Sequence, residues 1–497
     1  MKRYFFLMGI LTLYFTSCND WIDEGNFTYA IATSTFYNTS EEANAAVLAP
    51  LNTMRSAYNS NWFTTLEGST EYCYTKGIYT SYNNYNGVLD QTHYTRCDLN
   101  WQNIYMAIMQ CNIGIKNITK ATAMTEQEIA AYIGELRFLR AMNYFNIVRR
   151  WGGVPLRNEN NMEEWDLGKT SLDNMYAFII EDLNYAVQHC PNSPRFIGAP
   201  GKNSAKALLA EVYMYTQEYG LAKVLAEEVI NSQAYSLVKV STTRDFDKVF
   251  GYNLITSTEE VFYIKTSRTD DRTWSYVSFT AHPDYYIDGK RMCGVGYFTH
   301  YTYTTNPLIA SWDQNDLRYD LNIGFFEFGV SAYGNNTCLL IKFWDPESPD
   351  GGANVDIPLI RYADVLITYA EATMRVAGGP TEESIEILNK LRRRGYGQDP
   401  DIPNPALDYK LVDYNTMDKF IDLLIQEERY ERFNEAKHWD FIVRLGKAQE
   451  LVGQYYDRNG NYTQIQERHY MWKIPDAEFN YNKALDQKID QNPGYTE

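Results

Sequence analysis

Residues 131–156 read AYIGELRFLRAMNYFNIVRRWGGVPL, and this stretch decides the fold class. Phe138, Ala141, Phe145 and Val148 recur at steps of three, four and three, and Leu139 and Met142 widen the same stripe. That is the period of an amphipathic α-helix with one buried face. Arg137, Arg140, Arg149 and Arg150 fall largely off the stripe. The Gly152-Gly153 pair supplies a left-handed cap, and Pro155 keeps the helix from restarting. No residue in the run is reactive by spacing, so its value is as scaffold.

Helical signals continue on both sides. Thr39 and Glu42 make a capping box that opens a helix running through about Arg55. Periodicity returns at Trp101, continues through Ile104, Ile108, Cys111 and Ile115, and appears again over 171–187. The pair 205–216 and 221–231 has the alanine-rich packing of a tetratricopeptide-like hairpin, with Asn203 or Ser204 as its N-cap. A second pair, 362–376 and 382–393, is separated by AGGPT. Further helices are expected over 416–435 and 439–448, followed by a mostly extended, turn-forming tail. The fold class is therefore mainly α. Tetratricopeptide-like helical hairpins form a scaffold over roughly 38–57, 101–232 and 357–450, and an irregular, loop-rich subdomain is inserted between them. Residues 18–497 are expected to form a single unit.

Two stretches break this pattern, at roughly 58–100 and 233–356. Positions 58–105 hold eleven aromatics among Asn, Ser, Thr and Gly, and positions 274–312 hold ten aromatics. Val261 to Ile264 has the apolar run of a strand. A sugar ring presents an apolar C–H face and a fringe of hydroxyls, so a site for it needs flat rings edged by polar groups. Tyr79, Tyr82, Asn83 and Tyr85 have that mixture in the first excursion. Trp274, Tyr276, Asp284, Tyr285, Tyr286 and Tyr297 have it in the second. These ten residues are the candidate ligand contacts. The competing expectation is that the rings form a local core where no helix does.

A formal charge of −18 argues against nucleic acid, which requires a basic surface. At the N-terminus Lys2 and Arg3 precede an apolar run over 4–15 and then Thr16, Ser17 and Cys18. This is the grammar of a lipoprotein signal over 1–17, with Cys18 as the lipidated residue, and the run is too short for a membrane span. Acidic residues at Asp20, Asp23 and Glu24 resemble a surface-export signal. The six other cysteines have no CxxC spacing and leave disulfide pairing open.

Catalytic and metal chemistry find little support. No HExxH, GxSxG or GxGxxG motif occurs, and the Gly201-Lys202 pair with Ser204 lacks the earlier glycine of a phosphate loop. Carboxylate pairs such as Asp270 with Asp271 and Asp313 with Asp316 are expected by chance among 63 acidic residues. Asp345, Glu347 and Asp350 offer oxygen ligands but fail the EF-hand spacing, and the histidines show no i, i+4 pair. No cofactor and no metal is expected.

Five runs in order resemble the SusD/RagB family of outer-membrane nutrient-binding lipoproteins. They are ELRFLRAMNYFNIVRRWGGVPL (135–156), AKALLAEVYMY (205–215), IPLIRYADVLITYAEA (357–372), EERYERFNEAKHWDFIVRLG (427–446), and the ending from Ile474-Pro475 to Gln491-Asn492-Pro493-Gly494-Tyr495. Ala436-Lys437-His438 departs from the pattern, since many members show Gly and Arg there; this reads as a packing variation. The resemblance implies a helical platform, and capture of oligosaccharide or polysaccharide without catalysis. It also implies a SusC-like TonB-dependent transporter as partner and an outer-membrane, cell-surface location through a lipid anchor. The alternatives are a RagB-type peptide-capturing lipoprotein and a surface glycoside hydrolase. The arginines of 131–156 are expected to serve as scaffold partners of the acidic stretch from Glu427 to Glu435.

Overall fold

The computed structural model describes residues 36–80, 91–268, 272–326, 336–348, 352–452, 465 and 467–495. Cys18 and the signal segment lie outside the described residues, as do Tyr82, Asn83, Tyr85, Asp270, Asp271 and Asp350.

The architecture is mainly helical, with helices packed in chain order. Ser40–Ala57 lies on Gln91–Ile118, which lies on Glu126–Trp151, then Leu172–His189, Lys202–Tyr215 and Tyr219–Asn231. The Tyr219–Asn231 helix packs directly on Tyr362–Ala377, which pairs with Glu382–Gly395 and Met417–Arg432. The scaffold is thus continuous in space although the second excursion interrupts it in sequence. An antiparallel pair of strands, Glu260–Ile264 and Ile357–Arg361, closes the neck of that insertion, with Ile264 opposite Ile357 and Glu260 opposite Arg361.

Local sequence explains most boundaries. Thr39 and Glu42 form the capping box of the first helix, and Thr125 and Glu128 form another at the start of Glu126–Trp151. Gly152 ends the Glu126–Trp151 helix with φ 69°. Three expectations need correction. The helix expected to begin at Asn203 or Ser204 starts at Lys202 with Gly201 as cap, and the Ser204 hydroxyl instead donates to the Val261 carbonyl at 2.7 Å. The stretch 58–100 is not irregular throughout, because Asn59 caps a helix at Ser60–Gly68 and the Gln91–Ile118 helix begins ten residues earlier than the periodicity indicates. The tail carries two short helices, Asp476–Tyr481 and Gln487–Asp490.

The Glu126–Trp151 helix is buried on nearly every side, not along one stripe. Phe138, Leu139, Ala141 and Phe145 are in the core, each large side chain contributing about 1.5–3 kcal/mol by burial. Arg140 and Arg150 are buried too. Their partners differ from the expected acidic stretch. Arg140 donates from Nε and Nη2 to both oxygens of Asp182, at 2.7 and 2.8 Å, tying this helix to Leu172–His189. Arg149 and Arg150 pair with Asp440. Burial of a guanidinium requires such a fork, since an unpaired buried charge is strongly unfavourable.

The tail docks on the end of the same helix. Trp151 meets Trp472 edge to face at a centroid distance of 5.0 Å, and its Nε1 donates to the Lys473 carbonyl at 3.0 Å. Asn492 Nδ2 donates to the carbonyls of Trp151 and Trp472, at 3.1 and 2.7 Å. Cys73, Cys97, Cys111, Cys190, Cys293 and Cys338 are all buried and unbridged.

Candidate functional site

The two aromatic-rich excursions meet at a small sheet. Tyr74–Thr75 pairs antiparallel with His300–Tyr303, which continues through Thr337–Leu340 to Ile323–Phe325. Beside it the short helix Tyr276–Thr280 is clamped by backbone bonds: Tyr297 N–H to the Ser278 carbonyl, Thr299 N–H to Phe279, and Phe298 N–H to Ala281. The main chain that carries the rings is therefore fixed before any ligand arrives.

On this frame Tyr79 from the first excursion and Tyr297 from the second both pack on Phe279, each edge to face at 5.6 Å. Tyr79 is 9% exposed and forms the base, while Tyr297 is 54% exposed and offers its ring to solvent. A second set of rings follows: His282 lies 4.4 Å from Phe326 and 5.8 Å from Phe298, and Lys76 Nζ stands 4.3 Å over Phe298. Burial, with Lys76 nearby, lowers the His282 pKa and favours the neutral ring, whose Nδ1 accepts from the Asp284 N–H at 3.1 Å.

The hairpin beyond carries Tyr285 and Tyr286. Its strands, Tyr286–Ile287 and Lys290–Arg291, are joined by Asp288-Gly289 at φ 51° and 75°, the geometry of a type I′ turn. Tyr286 is exposed, and its hydroxyl accepts from Arg291 Nε at 3.4 Å. Tyr285 is half-buried against Phe326, and Asp284 is exposed at the rim. Rings with exposed faces, edged by Asp284, Lys290 and Arg291, make an arrangement suited to stacking and hydrogen bonding and not to proton transfer.

Two predicted contacts belong elsewhere. Trp274 and Tyr276 are 1% and 0% exposed and present no face to a ligand. Trp274 is wedged between Phe63 and Phe343, and its Nε1 donates to the Tyr58 carbonyl at 3.1 Å. Tyr276 donates its hydroxyl to Asn434 and packs on Phe63. They are the local core beneath the site. Phe279, His282 and Phe326, by contrast, are not among the candidate contacts yet belong to the site, and Phe279 and His282 lie in the aromatic-rich run itself.

The other candidate chemistries are absorbed by structure. Asp316 caps a short helix and grips Arg318, while Asp313 accepts from the Asn315 N–H and the Tyr396 hydroxyl. Asp345 is buried and organises its loop by accepting from Arg268 and from the N–H groups of Glu347 and Asn354. Among the described residues no group of three or more His, Cys, Asp or Glu is placed to hold a metal. A cleft of about 80 Å³ within the scaffold is lined by Arg149, Glu211, Asp364, Lys437 and Asp440, but these charges are matched to one another, with Asp364 to Lys437 at 2.7 Å and Arg149 to Asp440 at 3.1 Å.

Comparison with known proteins follows this geometry. Residues 331–495 match the model of the SusD family, and residues 24–214 match that described as starch-binding associating with outer membrane. A SusD-like protein of Bacteroides ovatus is 26% identical over 75% of this chain and 72% of its own, and one of Formosa agariphila is 25% identical over 80% of each. Among solved structures, a SusD homolog from Bacteroides thetaiotaomicron superposes with a TM-score of 0.77 at 20% identity, covering 93% of this chain and 98% of its own. Surface glycan-binding protein A from Bacteroides fluxus gives 0.75 at 17% identity over 92% and 100%, and a laminarin binding SusD-like protein gives 0.71 at 20% identity over 92% and 100%. The helical scaffold, its inserted subdomain and the two matched segments lead to one assignment: the chain belongs to the SusD/RagB family.

Proposed function

We propose that the protein captures a neutral oligosaccharide or polysaccharide at the cell surface, held to the outer membrane by lipid on Cys18, and passes it to a SusC-like TonB-dependent transporter without catalysing a reaction. The observation that carries this reading is Tyr297, more than half exposed, standing on Phe279, which Tyr79 in turn supports, within a hydrogen-bonded frame. A rigid, exposed ring binds without the entropic cost of being ordered. Tyr286, Asp284 and Arg291 supply an additional ring and the polar edge. The family description points to outer-membrane association, and among the described residues no helix is long and apolar enough to cross a membrane. Relatives described as binding laminarin or surface glycans support the choice of ligand class.

The test is affinity electrophoresis of the purified protein through gels containing individual polysaccharides, with the Tyr297→Ala and Tyr286→Ala variants alongside. Retention by one polysaccharide that the variants lose, at an unchanged thermal melt, is the expected result. Release of reducing sugar would instead assign a hydrolase, and a fluorescence response to oligopeptides with none to glycans would assign peptide capture.

A further inference from the structure

The two most exposed aromatic rings among the described residues lie outside both excursions. Trp165 is 81% exposed and Tyr481 is 79% exposed. They are far apart in sequence, yet a hydrogen-bonded seam brings their segments together. Asn482, buried beside Tyr481, donates from Nδ2 to the Leu167 carbonyl at 2.8 Å, and the Lys483 N–H donates to Asp166, the neighbour of Trp165, at 2.8 Å. Lys169 Nζ extends the seam to the Asp490 carbonyl at 2.8 Å. Arg157 fixes the other side of the loop by donating to the carbonyls of Glu164 and Trp165. Counted along the chain and through the Asp166–Lys483 hydrogen bond, with consecutive Cα atoms 3.8 Å apart, the two residues are rooted within about 20 Å of each other.

Two rings this exposed on one hydrogen-bonded seam offer flat apolar faces to a ligand without needing to be ordered first. Their setting selects its chemistry. The exposed carboxylates around the seam, Glu163, Glu164, Asp166, Asp476 and Asp486, are offset by Lys116, Lys169, Lys473 and Lys483, with Glu163 and Asp476 paired to Lys116 and Lys473, so no cationic patch is left to draw sulfated or uronic polymers or anionic lipid. The rings also stand among charged side chains and do not form the contiguous apolar centre of a protein interface. Flat faces edged by acceptors and by Lys483 suit the C–H face and hydroxyls of a neutral sugar.

We propose that Trp165 and Tyr481 form a second contact for a neutral glycan chain, separate from the surface around Tyr297. The proposal rests on the glycan-capture reading and deepens it: a polymer spanning both contacts is held by avidity, while a short oligosaccharide fills one.

The experiment compares wild type, Trp165→Ala/Tyr481→Ala and Tyr297→Ala on the polysaccharide that retains the wild type and on a short oligosaccharide cut from it. The double variant is expected to lose about ten- to a hundredfold in retention on the polymer, as removal of a tethered contact does, with oligosaccharide affinity at the Tyr297 surface and the thermal melt unchanged. A second readout is selective. Trp62, Trp101, Trp151, Trp274, Trp312, Trp344, Trp439 and Trp472 are all buried and Trp21 lies outside the described residues, so in a Trp21→Phe background acrylamide quenching that disappears in Trp165→Phe reports on Trp165. The polymer should shield that fluorescence in wild type and in Tyr297→Ala. Unchanged retention of the double variant with no shielding overturns the second contact while the Tyr297 reading stands. Unchanged retention accompanied by weaker co-purification with the transporter also overturns it, by assigning the rings to a protein interface. A wild type retained by no polysaccharide removes both readings.

Discussion

Arg361 holds Glu435 with two arms of its guanidinium: Nε lies 2.9 Å from one carboxylate oxygen and Nη2 lies 2.8 Å from the other, with both side chains wholly buried. The third arm reaches Glu431 at 2.9 Å and Glu259 at 3.2 Å, Arg394 meets the same two carboxylates, and Lys342 approaches Glu435 at 2.8 Å. Arg361 ends the strand that closes the neck of the insertion and precedes the Tyr362–Ala377 helix, while Glu435 follows Met417–Arg432. The network therefore joins the neck of the ligand-side subdomain to the scaffold. At Glu435 and Glu431 the neighbouring cations outweigh burial and lower the carboxyl pKa, whereas at Glu259 and Lys342 burial prevails, raising the first and lowering the second.

Removing one member leaves buried charge without a partner. Arg361→Met is expected to cost about 3–5 kcal/mol in urea unfolding, far more than the loss of an exposed pair. Arg361→Met/Glu435→Leu should recover part of that cost, because an apolar pair requires no desolvation of charge. A single variant within 1 kcal/mol of wild type, on the order of a surface pair, would show that water reaches the network.

A second buried cluster makes stability depend on pH. Burial alone would lower the His438 pKa, but Glu71 and Glu428 outweigh it and raise it to about 9 from 6.5. Its contribution is complete below pH 6.5 and is lost as pH rises through 9. Glu67, which accepts from the Ala436 N–H and from the Tyr72 hydroxyl, is pushed by burial up to about 7 from 4.5. The fold keeps a proton there that the unfolded chain releases, so this contribution too declines, between pH 4.5 and 7. Glu71 behaves oppositely: His438 overcomes burial and lowers it to about 2, so its contribution is present above pH 4.5 and is lost as pH falls through 2. The contribution of this cluster should fall as pH climbs from 5 to 9, against the rise up to pH 6.5 supplied by His300 and His469, each lowered by burial to about 4. Glu67→Gln should flatten the first part of that decline and His438→Gln the second, as read from urea midpoints across pH. Profiles that superpose with wild type would remove both assignments.

The scaffold was legible because its information is local. Steps of three and four, capping residues and glycine stops each lie within one helix, and they place the hairpins to within a few residues. Nothing local marks a buried ion pair: Arg361 and Glu435 are 74 residues apart. The same limit divides the aromatic residues. Trp274 and Tyr297 sit in one run of similar composition, and what buries the first is Phe63 and Phe343, contributed by distant segments. Trp165 is a single ring in a polar loop, and only the seam with Asn482 and Lys483 brings its segment beside that of Tyr481.

The departure at Ala436 has a conformational consequence. Ala436 adopts φ 57°, a left-handed conformation that costs an L-residue about 1–2 kcal/mol, and glycine adopts it freely. Ala436→Gly retains the N–H that Glu67 accepts. After the greater entropy of glycine in the unfolded chain is subtracted, a net gain of about 0.5–1 kcal/mol is expected, seen as a higher urea midpoint at constant slope. A loss of stability would mean that the packing of the buried methyl group outweighs the backbone strain.

The glycine pair that ends the Glu126–Trp151 helix divides into two separable roles. Gly152 has φ 69° and ψ −142°, a region reserved for glycine, yet a Cβ built there meets only the Met471 sulfur at 4.0 Å. Gly153 is different: its Cβ would stand 2.2 Å from the Thr170 carbonyl oxygen, where the Thr170 N–H donates to Val154 at 3.0 Å. Gly152→Ala is therefore a backbone penalty of about 1–3 kcal/mol that leaves the neighbouring loop in place. Gly153→Ala is a steric penalty of similar size, about 1–3 kcal/mol, that relaxes by pushing Thr170 outward. Thr170 closes the loop that carries Trp165. The two variants should thus lose comparable stability in urea, while only Gly153→Ala changes acrylamide quenching of Trp165 and polymer retention. Equal effects on quenching would place both glycines in a single structural role, and the approach of Thr170 would no longer explain the second one.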